Sequence, residues 1–271
     1  MAKKALGFLL CLALLGGFFV FGGCGSQQQA ASENKPGKQA AALKDSGKDR
    51  ELKVYICAGL KKPMDAVIAK FQEEKGVKVI PNYGPSGGLW AQIKKGQPCD
   101  LYYSADWMYI EMANEEGKLS EYRKFLKDNL ALVVSPSAKD KVKSVQDLAK
   151  PGVTFVVCDP KAPVGAYAET ALKNLGLWEK VQGNLKARPS TVNQAAIMVK
   201  EDQVDAGLIY VSVATGNRLH QAQVLGEDAT GEIVFGVGVI KGANESLAKE
   251  FVEFAVQHVD EFTKYGWKPY A

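Results

Sequence analysis

The sequence predicts an α/β protein built as two lobes that share a cleft. Three observations carry this. From Leu52 onward, short β-rich runs alternate with amphipathic helical runs, the order that yields mostly parallel sheets flanked by helices. That alternation runs twice along the chain with no short-period repeat. The segment that can build a core is about 220 residues long, which suits two lobes of about 110 better than one sheet. With 46% hydrophobic and 24% charged residues the body has the composition of an ordinary globular protein.

The first fifty residues stand apart. Lys3 and Lys4 precede an uncharged apolar run from Ala5 to Val20, which ends in Phe21-Gly22-Gly23-Cys24. A charged start, an apolar stretch and small residues before a cysteine read as a lipoprotein signal peptide over residues 1–23, with the lipid on Cys24. The alternative is an uncleaved anchor, since Ala5–Gly23 is long enough to span a bilayer. Either way residues 51–271 lie outside the cytoplasm. Residues 24–50 are rich in Gln, Ser, Lys and Gly with almost no large apolar residue, so they read as a flexible tether.

The elements follow in order. Leu52–Ala58 alternates and is β-rich, a strand. Pro63 suits a first helical turn, and Met64, Val67, Ile68 and Phe71 recur at helical spacing up to Lys75-Gly76. Val77–Asn82 is a second strand, Gly84–Gly88 a glycine-rich turn and Leu89–Lys95 a second helix. Asp100–Ser104 is a third strand and Met108–Glu115 a third helix. Leu130–Val134 opens the second series as a strand, with a short helix over Val145–Leu148 and a strand over Val153–Cys158. Tyr167–Leu175 and Thr191–Lys200 are helices, the latter capped by Ser190 or Thr191. Ala206–Val211 and Ile233–Ile240 are strands, and Leu247–His258 is a closing helix.

Composition narrows the function. The net charge of +4 falls by two, to +2, without Lys3 and Lys4, too small a surplus to imply nucleic acid. Of five cysteines, Cys57, Cys99 and Cys158 belong to the body. An odd number without a C-x-x-C pair, beside only His220 and His258, argues for small buried thiols rather than a zinc site. The phosphate-loop, dinucleotide and H-E-x-x-H signatures are absent, and no cofactor is expected.

Four turns that open helices hold the chemistry: Ala58–Pro63, Gly84–Gly88, Ala162–Ala166 and Pro189–Asn193. Each is rich in small or turn-forming residues. Each offers free backbone N–H groups at the positive end of a helix, so several converging on one cleft could strip a small oxyanion of water. No countercharge is needed if enough N–H and O–H groups point inward. The four turns contain no acid, which favours a fully ionised ligand over one that carries a proton. Gly84-Pro85-Ser86-Gly87-Gly88 also matches G-x-S-x-G, the nucleophile turn of serine hydrolases. That competing reading, an enzyme built on Ser86, needs an imidazole, and neither His220 nor His258 follows an evident strand end.

Taken together, VYICAGLKKPMDAVIAKFQEEKGVKV, YGPSGGLWAQIKKGQPCDLYYSAD, CDPKAPVGAYAETALKNLGLWEK, DQVDAGLIY and the KYGW ending resemble the periplasmic molybdate-binding proteins of ABC importers, from about Leu52 to Trp267. The resemblance implies the type II solute-binding fold, with lobe 1 from 51–131 and 235–271, lobe 2 from 132–234, and two crossover strands between them. It implies a protein that closes on a tetrahedral oxyanion, molybdate or tungstate, and delivers it to an ABC permease without making or breaking a bond; that mechanism needs no oligomer, and a monomer is expected. A different anion or an organic solute on the same fold is the alternative. Position by position, Ser86 corresponds to a hydroxyl donor, Val164 and Val192 to backbone donors at two helix starts, and Tyr210 to a phenol donor. Gly59 stands where the family usually has Ser, so one hydroxyl is missing; its own N–H, Lys61, Lys62 or a water are the available replacements.

Overall fold

The computed structural model describes residues 50–242 and 244–270. The expected signal peptide, Cys24 and the tether up to residue 49 lie outside the described residues. The chain opens with β1 (Glu51–Cys57), α1 (Lys61–Lys75), β2 (Lys78–Gly84), α2 (Ser86–Lys94), β3 (Leu101–Ser104), α3 (Trp107–Glu115) and β4 (Leu119–Asp128). It continues through β5 (Leu130–Val134), β6 (Phe155–Val156), α4 (Pro163–Asn174), α5 (Trp178–Val181), β7 (Leu185–Ala187), α6 (Val192–Lys200), β8 (Ala206–Tyr210), α7 (Val211–Asn217), β9 (His220–Leu225) and α8 (Glu227–Thr230). β10 (Ile233–Ile240), α9 (Glu245–Gln257), α10 (Asp260–Thr263) and β11 (Lys268–Pro269) close it.

Two sheets result, in the orders β11-β4-β10-β3-β1-β2 and β7-β6-β8-β5-β9. In the first, β1 pairs in parallel with β2 and β3, while β10 runs antiparallel to β3 and β4. In the second, β6 pairs in parallel with β7 and β8, and β5 runs antiparallel to β8 and β9. The parallel ladders place strand ends and helix starts at one edge, which is where ligands meet α/β sheets. The chain changes sheet at Asn129 and returns between β9 and β10. The first change comes earlier than the 131/132 boundary expected from sequence, because β5 pairs with β8 along its whole length, from Leu130↔Tyr210 to Val134↔Ala206.

Apolar periodicity explains the packing. α1 buries Pro63, Met64, Val67, Ile68 and Phe71, one stripe at helical spacing. Phe71 meets Phe251 and Phe254 of α9 edge-on at 5.0 and 5.2 Å, which holds the first and last long helices together on the first sheet. Truncating such a fully buried ring to Ala typically costs about 3–5 kcal/mol.

Several features differ from the expectations. α2 begins at Ser86 rather than Leu89 and α4 at Pro163 rather than Tyr167, so the glycine-rich and proline-rich turns are themselves first helical turns. β4, an unexpected ten-residue strand, carries Glu121, Arg123, Lys124 and Lys127 and so lacks an apolar signature; pairing with β10 makes it a strand. β9, another unexpected strand, is polar at His220, Gln221 and Gln223 and is held by its pairing with β5; the short β7 and β11 are likewise unexpected.

Candidate functional site

The five residues expected at the site come from five separate segments. Gly59 lies in a short 3-10 turn, Ala58–Leu60, between β1 and α1. Ser86 is the first residue of α2, Val164 the second of α4 and Val192 the first of α6. Tyr210 ends β8. All five line one cavity of about 240 Å³, mouth included, at the seam between the two sheets. Cys24, the expected lipid site, lies outside the described residues.

The local sequence explains why each turn presents donors. The first N–H groups of a helix have no partner within it. At α4, Pro163 has no N–H and Gly165 N–H donates to Ala162 O at 2.8 Å, so the helix's own bonding leaves over the Val164 N–H. At α6, Thr191 caps the helix by accepting from Gln194 N–H at 3.3 Å, and Val192 N–H is left over in the same way. The Ser86 Oγ accepts from Ala105 N–H at 3.0 Å, which fixes the oxygen and leaves the hydroxyl hydrogen to donate elsewhere. The Ser86 carbonyl is in turn held by the Tyr102 hydroxyl at 2.9 Å.

The electrostatics are those of a neutral donor cage. No Asp, Glu, Lys, Arg or His is among the residues that line the cavity. Tyr210 is almost wholly buried, and burial pushes its phenol well above the ordinary tyrosine range, so it keeps its hydrogen. Cys57 also lines the cavity, and burial raises its thiol far enough to keep it neutral. Neither imidazole is at the site: His258 Nδ1 contacts Phe254 O at 2.9 Å and its ring stacks on Phe254, while His220 begins β9. The described residues therefore bring no base to Ser86.

Hydrogen bonds across the seam hold the two halves closed over the cavity. Asn193 of α6 donates to Ala58 O at 2.7 Å, and Gly87 N–H donates to Lys161 O at 3.2 Å. Lys62 Nζ donates to Gly216 O, and Tyr210 OH reaches Ala105 O at 3.5 Å. Two lining residues escaped the sequence reading. Ala105 follows β3 and precedes Asp106, whose carboxylate accepts from Met108 N–H at 2.9 Å. Cys57, expected only as a small buried thiol, lines the cavity as well.

Known proteins resemble this chain along most of its length. The family profile described as bacterial extracellular solute-binding protein matches residues 52–268. The molybdate-binding protein ModA of Escherichia coli (strain K12) is 29% identical over 238 residues, 83% of this chain and 91% of that one. ModA of Mycobacterium bovis (strain ATCC BAA-935 / AF2122/97) is 27% identical over 84% of each chain. Among solved structures, the periplasmic molybdate-binding protein of Azotobacter vinelandii superposes with a TM-score of 0.71 at 20% identity, covering 80% of this chain and 98% of that one, a match of fold.

Proposed function

The chain belongs to the bacterial extracellular solute-binding protein family, and from that premise we propose that it captures a tetrahedral oxyanion, molybdate or tungstate, outside the cytoplasm and hands it to an ABC permease. Cys24 carries the lipid that tethers it to the membrane, and the protein acts as a monomer. One observation carries the reading: donors from both halves of the molecule line a single cavity that has no charged side chain. Uncharged donors suit a dianion. They stabilise its charge without a fixed countercharge, and they provide no carboxylate to accept the proton of a hydrogen phosphate. Gly59, Ser86 and Tyr210 with the Val164 and Val192 amides form the binding set. The relatives named for molybdate support the choice of anion.

Calorimetric titration of the purified protein with molybdate, tungstate, sulfate and phosphate tests this. Heat with molybdate and tungstate is expected; no heat with any of the four overturns the oxyanion assignment. Ser86→Ala removes one hydrogen bond to a charged ligand, worth about 1.5–3 kcal/mol, and should weaken binding about 10- to 150-fold. A hydrolase built on Ser86 would instead lose nearly all turnover in that variant.

Closure gives a further expected result. A Cβ at Gly87 would lie 2.9 Å from the Lys161 carbonyl oxygen and 2.6 Å from the Tyr109 hydroxyl. The hydroxyl can swing aside, but the carbonyl is backbone of the opposite half. Overpacking of this kind costs about 1–3 kcal/mol, and the part of it against the Lys161 carbonyl acts on the closed form alone. Gly87→Ala should therefore lower anion affinity about 10- to 100-fold while the melting temperature of the anion-free protein stays near wild type. Affinity equal to wild type would show that closure does not require the Gly87–Lys161 contact.

A further inference from the structure

Gly59 is the one residue shared by the anion cavity and a second, small cavity beside it, of about 210 Å³ with its mouth included. The walls of the second cavity are polar in part: Lys62, Asn193 and Ser212 line it together with Trp267. Trp267 is 3% exposed, and its indole Nε1–H has no acceptor among the described residues. Buried indole N–H groups ordinarily find a partner, because a bare donor in the interior is costly. Asn193 donates its side-chain N–H to Ala58 O, which leaves its Oδ1 as an acceptor. A Cβ built at Gly59 would meet Val192 Cγ1, Tyr210 Cδ2 and Val213 Cγ2 at 3.6–3.7 Å, ordinary contact distances. A side chain would therefore fit at this junction, and this chain has none.

Resting on the oxyanion reading, we propose that the second cavity is a hydration subsite of the anion site, opened by Gly59. A water there accepts from Trp267 Nε1–H, donates one hydrogen to Asn193 Oδ1 and donates the other past Gly59 to the anion. It replaces the hydroxyl that a serine at position 59 would supply. A bridging water is nearly as favourable as a direct hydrogen bond, and a polar cavity with two to four partners is the setting that holds one. Gly59 thereby sets how the anion is held: through a relay rather than by a side chain.

Titration of wild type, Gly59→Ala and Gly59→Ser with molybdate tests the relay. The methyl group closes the junction without offering a donor, so Gly59→Ala should bind about tenfold more weakly than wild type. Gly59→Ser should recover that loss, a rescue that simple crowding at the junction would not produce. Wild-type affinity in Gly59→Ala overturns the relay and leaves the oxyanion reading standing. No heat from wild type with molybdate or tungstate fails the oxyanion reading instead. A high-resolution crystal structure of wild type decides the subsite independently of both variants. It should place a water within hydrogen-bond distance of Trp267 Nε1 and Asn193, and its absence there overturns the proposal.

Discussion

Gly165→Ala is expected to weaken anion binding by at least about a hundredfold and to lower stability by about 1–3 kcal/mol. A Cβ at Gly165 would lie 2.4 Å from Cys158 O, 2.5 Å from Asp159 O and 2.8 Å from Cys158 C. All three are backbone atoms of the segment that follows β6, and no side-chain rotation can relieve them. Gly165 is the third residue of α4, directly after Val164. The start of the helix must retreat, and the Val164 N–H retreats with it. Losing one charge-assisted hydrogen bond at the upper end of its range accounts for the hundredfold by itself. The direction is diagnostic, because Gly→Ala inside a helix ordinarily stabilises by about 0.5–1 kcal/mol. Urea unfolding and molybdate titration measure the two effects. Gly183→Ala is the control: nothing lies within 4 Å of its Cβ position, so it should leave binding unchanged and raise stability by no more than about 1 kcal/mol. Binding within threefold of wild type in Gly165→Ala would mean that the start of α4 does not hold the anion.

What the sequence discloses depends on how each element is stabilised. β1, α1, β5 and β10 are legible because their own apolar periodicity buries them: Leu52, Val54 and Ile56 on one strand, and Met64, Val67, Ile68 and Phe71 on one helix. β4 and β9 are not legible, because neighbours make them strands while their side chains are largely polar. The first turns of α2 and α4 are hidden by residues that usually break helices, Pro85, Gly87 and Gly88 in one and Pro163 and Gly165 in the other. Those same residues let backbone from elsewhere approach closely, so the local irregularity marks the site. The donor-rich turns can be found one at a time. Their meeting at one cavity cannot, because it depends on how β5 and β8 pair after the chain changes sheet at Asn129. Only the family resemblance pointed to that convergence, and resemblance offered no account of the cavity behind Gly59 or of the bare Trp267 N–H beside it.

A pH effect of comparable size is expected through Asp128, where the chain leaves the first sheet. Burial pushes this carboxyl up to about 7, against the opposing effect of the donors that face it. Those donors are the Ser212 hydroxyl, Asn129 N–H at 2.7 Å and Ser212 N–H at 3.4 Å. Lys127, Glu227 and Lys268 line the same neighbouring cavity, and Lys127 is paired with Glu232. The folded protein therefore holds this proton more tightly than the unfolded chain, whose aspartates titrate near 3.9. The resulting stabilisation is fully present below about pH 4 and is lost as the pH rises through 7. Three pH units correspond to about 4 kcal/mol. Asp128→Asn mimics the protonated acid: its Oδ1 can still accept from the two N–H groups, and its Nδ2 can donate to Ser212 Oγ. In urea unfolding from pH 5 to pH 8, the stability advantage of Asp128→Asn over wild type should widen by about 2–3 kcal/mol as the pH rises. Because Ser212 belongs to α7, the same contact ties the change of sheet to the half of the molecule that carries Tyr210. A constant difference between the two proteins over that interval would show that Asp128 stays ionised when the protein is folded, and that the three donors outweigh its burial.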